Sequence, residues 1–297
     1  MRALPFSGSV LALGLAALAV LPLRAESAQY RLAREDFEAT RFPDAIAILR
    51  SVAREPGEFK LLGRCYLLEG DYKAASEAIE KAVALAPNDA DAEVWLARAY
   101  GHHAEHSFGP SAISYARKSR ETFELAIRLD PGHPGAMGDL FEFYVQAPGF
   151  VGGGTEKARA LLPQIQKHDP IGYEIAQATL AGHEKDYSQA ESHLRSAIAL
   201  DASQPASHIN LAKFLARRGR YQESDAAFAQ ARAADPEAHP VDFEQAETLL
   251  KNQRNREQAR HLLRGYIASS GLTPNDPPRA EALKLLKKAG GGEAGAF

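Results

Sequence analysis

The chain has 297 residues, with 35 Lys and Arg against 38 Asp and Glu, a formal net charge of −3, and a single cysteine, Cys65. Without the first 25 residues, which carry Arg2 and Arg24, the net charge falls to −5; a general nucleic-acid binder, which needs a basic surface, is therefore excluded. One cysteine excludes an intramolecular disulfide, so stability has to come from packing.

The first element is an export signal. Arg2 supplies the positive start, an uncharged apolar run extends from about Val10 to Leu23, and small residues follow at Ala25 and Ala28. That layout predicts a secretory signal peptide over residues 1–25 and a periplasmic or secreted protein. The alternative, a membrane anchor, is disfavoured because the run is shorter than the ~20 residues a spanning helix needs and Pro22 interrupts its end. No cysteine lies in this segment to carry a lipid.

Beyond it the sequence repeats itself. RFPDAIAIL with Val52 opens a degenerate first copy, and LLGRCYLLEGDYKAASEAIEKAVALAPND (61–89) is the clearest. In it, Gly63 and Ala75 are small where two antiparallel helices would cross, Tyr66 and Ile79 fill the space between them, Gly70 permits a tight turn and Pro87 ends the second helix. Copies follow at VWLARAY with ETFELAIRLDP, GDLFEFY with ARALLPQIQKHDP, EKDYSQAESHLRSAIALDA, INLAKFLARRGRYQESDAAFAQARAADPE (209–237) and FEQAETLLKNQRNREQARHLLRGYI, about seven in all. Leu62-Gly63, Tyr66, Gly70, Tyr72, Ala75, Ile79, Ala82, Leu85 and Pro87, and again Leu211-Ala212, Gly219, Tyr221, Phe228, Ala231 and Pro236, resemble the tetratricopeptide repeat. The resemblance implies an all-α fold: a right-handed α-solenoid of helix hairpins over 26–290, one continuous core and no separate domains. DPPRAEALKLLKKAG (276–290) reads as an amphipathic helix suited to capping the last open face, and residues 291–297 as a flexible tail.

The period is uneven. Helix-ending positions at Pro87, Pro131, Pro170, Ala202 and Pro236 are separated by 44, 39, 32 and 34 residues, where the family uses about 34. The surplus in two neighbouring copies predicts long hairpin loops at 101–113 and 146–155 that project from one edge and touch. QAPGFVGGGT (146–155) is not a phosphate loop: the pattern around it is helical, and Thr155 rather than lysine follows Gly154. Thr155 is expected to cap the next helix, and Phe150 and Val151 to lie on the protrusion, where they either pack on the neighbouring insertion or meet a partner. The APGF and GGG segment is similar to segments of uncharacterised tetratricopeptide proteins of bacterial envelopes, which implies no activity.

Chemistry-bearing residues are few. In HHAEH (102–106), His102 and His106 share a helical face and are the candidate metal ligands, but the H-E-x-x-H order is absent and no third ligand is in reach. Cys65 reads as a small inward filler. No catalytic order stands out, no cofactor is implied, and the protein is not read as an enzyme.

The resemblance places ligand-facing positions on the first helix of each hairpin: Lys60 and Arg64; Val94, Arg98 and His102; Gly138, Glu142 and Gln146; Ile209, Lys213 and Arg217. Five of these are basic in an acidic chain, which suggests a groove for acidic or carboxylate-bearing peptides; an equal alternative is that the cations serve neighbouring acids such as Glu142. The leading expectation is a periplasmic scaffold that binds a peptide or envelope protein in its concave groove, with no nucleic acid and no stable membrane span after cleavage. The alternative is a solute- or metal-binding accessory protein of the envelope, for example one associated with a transporter. If the N-terminal reading is right, intact-mass measurement of protein recovered from the native envelope finds residues 1–25 missing; a predominant exported form retaining Met1 contradicts it.

Overall fold

Short polar caps and tight turns divide the chain into helices of similar length. The structure, a computed structural model, describes residues 27–290; the expected signal peptide and the tail at 291–297 lie outside the described residues. Fifteen α-helices, one 3-10 turn and no strand are present among those described. Seven antiparallel hairpins follow one another: α1 (Ala28–Glu38) with α2 (Phe42–Val52), α3 (Pro56–Glu69) with α4 (Tyr72–Leu85), α5 (Ala90–Glu105) with α6 (Gly109–Leu129), α7 (Pro134–Gln146) with α8 (Thr155–His168), α9 (Pro170–His183) with α10 (Tyr187–Leu200), α11 (Pro205–Arg217) with α12 (Tyr221–Ala234), and α13 (Pro240–Lys251) with α14 (Arg256–Ala268). The last helix, α15 (Arg279–Lys288), stands alone.

Aspartates start many of these helices because a carboxylate satisfies amide groups that have no partner in the first turn. Asp71, Asp89, Asp169 and Asp186 each accept the backbone N–H three residues on. Within a hairpin the helices touch at small residues. A Cβ on Gly63 would stand 2.2 Å from Ile79 Cγ1 and 3.0 Å from the Ala75 carbonyl oxygen, and Ala75 and Ile79 are fully buried. The apolar core is continuous across hairpins: one cluster joins Val94 and Ala97 of α5 to Leu180 of α9, and the next runs from Ala178 of α9 to Val241 of α13. No hairpin has a core of its own.

Two expectations about the over-long copies are corrected. Residues 101–113 are not a long loop: α5 continues to Glu105, α6 begins at Gly109 and runs for 21 residues, and only 106–108 separate them. The surplus is spent on longer helices, because SAISYARKSRETF keeps an apolar stripe and contains no helix breaker. Residues 147–154 do form a loop, built around the 3-10 turn Gly149–Val151. The residue in the capping position of α8 is Gly154, with Thr155 already in the first turn and no side-chain cap.

The C-terminal helix does more than cap. Ala282, Leu285 and Leu286 of α15 pack with Phe243 of α13 and Leu263 and Tyr266 of α14. Its other side turns back toward the start of the solenoid. Arg279 donates to the Thr40 hydroxyl in the α1–α2 turn, 239 residues earlier, and Ala280, Glu281 and Lys284 face Tyr72, Trp95, Arg98 and His102 across a cleft of about 300 Å³. The two ends of the superhelix meet.

The Gly63 crossing sets a stability test. Gly63→Ala gains about 1 kcal/mol of helix propensity, yet overpacking of this kind costs about 1–3 kcal/mol, so urea unfolding should show a net loss. Ile79→Ala should then cost less in the Gly63→Ala background than in the wild type. Equal costs in both backgrounds would contradict the crossing.

Candidate functional site

The first helices of successive hairpins lie side by side, α3 with α5, α7 with α9, and α11 with α13, and they carry the inner surface. Their charges are largely paired across the repeat boundary. Lys60 of α3 bridges Asp89 and Asp91 at the start of α5, both at 2.9 Å. Arg98 of α5 meets Asp139 of α7 at 2.7 Å, and Lys213 of α11 meets Glu244 of α13 at 2.6 Å. Burial alone would lower the Lys60 pKa, but Asp89 and Asp91 outweigh it and hold it above the usual lysine value. At three of the five basic positions the structure follows the alternative reading, cations that serve neighbouring acids: Lys60, Arg98 and Lys213 knit neighbouring repeats.

The remaining two cations differ. Arg64 lies between aromatic rings, its guanidinium carbon 4.6 Å from the Phe37 centroid and 4.4 Å from that of Trp95, and its buried Nε has no hydrogen-bond partner. Burial lowers its pKa, a modest shift for a group that stays charged. Arg217, near the end of α11, is exposed at the cleft mouth and forms no hydrogen bond or ion pair with a described residue; partial desolvation by the cleft lowers its pKa. Val94 and Ile209, expected to face the groove, are instead buried in the core, and Gly138 is open to solvent.

Arg217 overlooks a cleft of about 700 Å³ formed by α7, α9, α10 and α11. Ile175, Leu194 and Phe214 give it apolar walls, and Thr179, Asn210 and Gln146 add polar groups. Glu142 stands on the opposite side, hydrogen-bonded to Gln146; burial first and then Asp139 raise its pKa against the pull of Lys213. Arg218 lies 3.7 Å from the Tyr187 ring at the same cleft. A cation without a partner beside apolar walls is suited to an anionic group carried on an apolar body. Four of the expected site residues, Glu142, Gln146, Lys213 and Arg217, are brought together here; Lys60, Arg64, Arg98 and His102 belong to α3 and α5.

On the outer edge, Phe150 and Val151 part company. Phe150 is 64% exposed while Val151 is only 4% exposed, so of the two readings packing holds for Val151 and exposure on the loop for Phe150. The loop is fixed from both sides: Gly154 N–H donates to the Tyr144 carbonyl at 2.8 Å, and Arg117 of α6 donates to the Phe150 carbonyl at 3.0 Å. Gly153 is required, since a Cβ there would lie 1.8 Å from the Ala147 carbonyl oxygen. The two over-long copies do touch, though through α6 and not through a second loop. Phe108, between α5 and α6, is the most exposed large apolar side chain among the described residues, at 92%.

The histidines pack against aromatic rings. His102 stacks on Tyr72 with centroids 5.2 Å apart, His106 tilts against the same ring at 4.6 Å, and His103 stacks on Tyr115 at 3.8 Å. His102 Nδ1 also pairs with Glu105. Among the described residues no cluster of three or more His, Cys, Asp or Glu is placed to hold a metal, and no helix is long and apolar enough to cross a membrane. Cys65 is fully buried, and burial pushes its thiol up to about 12, which leaves it unreactive.

The sequence reading missed a second set of inter-repeat contacts. Tyr100 of α5 donates to Glu80 of α4, and Tyr144 of α7 to Glu124 of α6. Both pairs are 20 residues apart in sequence, and both tyrosines and both glutamates recur 44 residues on, the long interval already visible in the prolines. That shared register was the available signal.

Two family models described as tetratricopeptide repeat match the chain, at residues 57–89 and 183–241. The chain thus carries tetratricopeptide repeats. Among solved structures, a tetratricopeptide repeat protein from Parabacteroides merdae ATCC 43184 is 12% identical, with a TM-score of 0.55 over 88% of this chain and 97% of that one. A thermophilic tetratricopeptide repeat protein of Thermus thermophilus is 20% identical, with a TM-score of 0.47 over 75% and 97%, and pilF of Pseudomonas aeruginosa is 15% identical, at 0.44 over 77% and 96%. No curated protein matches the sequence. The likeness to the Parabacteroides protein is one of fold. The repeats make the chain a protein–protein interaction scaffold, a class that is generally non-catalytic.

The edge loop can be tested by separating its two apolar residues. Phe150→Ser should change the unfolding free energy by less than about 0.5 kcal/mol, as exposed substitutions do, whereas Val151→Ser should cost about 2 kcal/mol through lost packing and a buried hydroxyl. Chemical denaturation of the two variants decides it; equal effects would contradict the assignment.

Proposed function

We propose that this protein is an exported scaffold that takes an acidic segment of an envelope protein into the cleft between α7 and α11. Arg217 carries the proposal, because a guanidinium with no partner beside Ile175 and Phe214 favours a carboxylate attached to an apolar residue. The signal-like N-terminus supports export. The acidic segment enters from one side of the cleft, with its carboxylate on Arg217 and a neighbouring apolar side chain against Phe214; Asn210 and Thr179 are available to its backbone.

A small anionic solute is the second reading, favoured by the cleft volume of about 700 Å³, which lies within the range of small-molecule sites. The two readings share Arg217 and differ in length of ligand. Calorimetric titration with short peptides ending in an apolar residue and a free carboxylate separates them from titration with free dicarboxylates. On the peptide reading, amidating the terminus or replacing Arg217→Met should each weaken binding about tenfold or more, the value of a charge-assisted hydrogen bond. Arg98→Met, which removes an inter-repeat ion pair, should act on stability first. Peptide binding indifferent to Arg217 contradicts the proposal, and preferential binding of free dicarboxylates supports the solute reading.

A further inference from the structure

The turns between helices show one residue out of character. In five hairpins a residue one or two places past the end of the first helix takes a left-handed backbone: Thr40 (φ 56°), Gly70 (81°), Lys185 (66°), Gly219 (74°) and Gln253 (54°). Glycine adopts this conformation without strain, other residues are strained in it, and a β-branched residue there is a marked outlier that costs about 1 kcal/mol or more. Thr40 is the β-branched member of the set, and its hydroxyl is the group that Arg279 reaches across the closure.

Beside this bond Thr40, Phe42 and Glu69 face Leu272, Asp276 and Pro277 with only about 40 Å³ between them; farther out the closure is looser. Arg279 also donates from Nε and Nη2 to the Ile267 and Ser269 carbonyls at the end of α14, so its guanidinium is held on the C-terminal hairpin with its third nitrogen, Nη1, turned to Thr40. Away from this bond, a cleft of about 300 Å³ lies between the C-terminal segment and residues of α3, α4 and α5, and one of about 510 Å³ is bounded by that segment, α13 and Leu68. Apolar burial of α15 is directed at α13 and α14, while the side facing the first repeats presents Ala280, Glu281 and Lys284. Residues 269–278, which lead into α15, form no helix and contain three prolines.

We propose that the inner faces of α3 and α5 form a helix-docking surface whose occupant in the free protein is the chain's own segment 274–284, held by an Arg279–Thr40 latch that opens to admit a partner. The polar, poorly packed face of α15 makes the contact reversible, and the firm seat of α15 on α14 keeps the segment at hand for reclosure. The strained threonine is explained by the hydroxyl it supplies. Release exposes Tyr72, Trp95, Arg98 and His102 and gives side access to the interior of the superhelix, whatever ligand the interior takes.

The test uses the whole chain with spin labels at Glu35→Cys on α1 and Lys287→Cys on α15, both exposed positions; Cys65 is buried and does not compete. Double electron–electron resonance should give one narrow distance distribution in this reference. Thr40→Val, which keeps the branch but loses the hydroxyl, and Arg279→Met should each add a population longer by about 10 Å, roughly one helix diameter. Thr40→Gly should open the closure likewise and yet melt at a higher temperature than Thr40→Val, because it relieves the left-handed strain. An unchanged distribution in Thr40→Val and Arg279→Met, or a broad one already in the reference, overturns the latch. So does the same short distance in a mixture of singly labelled chains, which would make the occupant a second copy. Thr40→Gly melting no higher than Thr40→Val overturns the part assigned to strain.

Discussion

The close crossing of paired helices at small side chains is the constraint on which the rest depends. Gly63 admits Ile79 so closely that not even a methyl group fits between them, and Ala75, Ala97, Ala126, Ala190, Ala212 and Ala227 are buried with almost no exposed area. Helices that meet at this range cover only one face of each other. The uncovered apolar face of each hairpin must be met by the next hairpin, and the core therefore passes from α5 through α9 to α13 without a break. Stacking in turn gives the chain an inner surface made of first helices and an outer one made of second helices.

Charge follows from that geometry. First helices set side by side bring a residue of one repeat within reach of a residue of the next, and Lys60, Arg98 and Lys213 are neutralised in this way by Asp89 with Asp91, Asp139 and Glu244. Partly exposed pairs of this kind contribute at most about 1 kcal/mol each to stability; their greater effect is to fix which repeat faces which. Once they are subtracted, the inner surface is not a basic stripe. It retains Arg64, occupied by the rings of Phe37 and Trp95, and Arg217, whose guanidinium is unengaged beside an apolar cleft. On the proposed function, specific recognition narrows from a whole groove to the cleft of α7, α9, α10 and α11.

The hairpins were legible in the sequence because their markers are local: Gly70, Pro87 and the Leu62-Gly63 and Tyr72-to-Ala75 spacings each act within a few residues. The extra length in the third and fourth copies was legible as well, but its form was not. Residues 109–117 continue a helix because their apolar stripe matches the one behind it, whereas Pro148 and Gly153 force a loop. Groove residues were read by analogy of position, and that misplaced Val94 and Ile209, which lie buried in the core. Ion pairs between residues some 30 or 40 positions apart depend on how neighbouring hairpins stack, and the meeting of Thr40 with Arg279 depends on the summed curvature of all seven hairpins. No local pattern carries that sum.

Amide chemical-shift mapping of the isotopically labelled protein, titrated with a peptide that ends in an apolar residue and a free carboxylate, is the most direct test that recognition is confined to the inner cleft. Perturbations clustered at Thr179, Asn210, Phe214 and Arg217, with the outer edge at Phe108 and Phe150 unmoved, are the expected result. Shifts centred on Phe108 and Phe150, or spread along Lys60, Arg98 and Lys213 with none at Arg217, would contradict it.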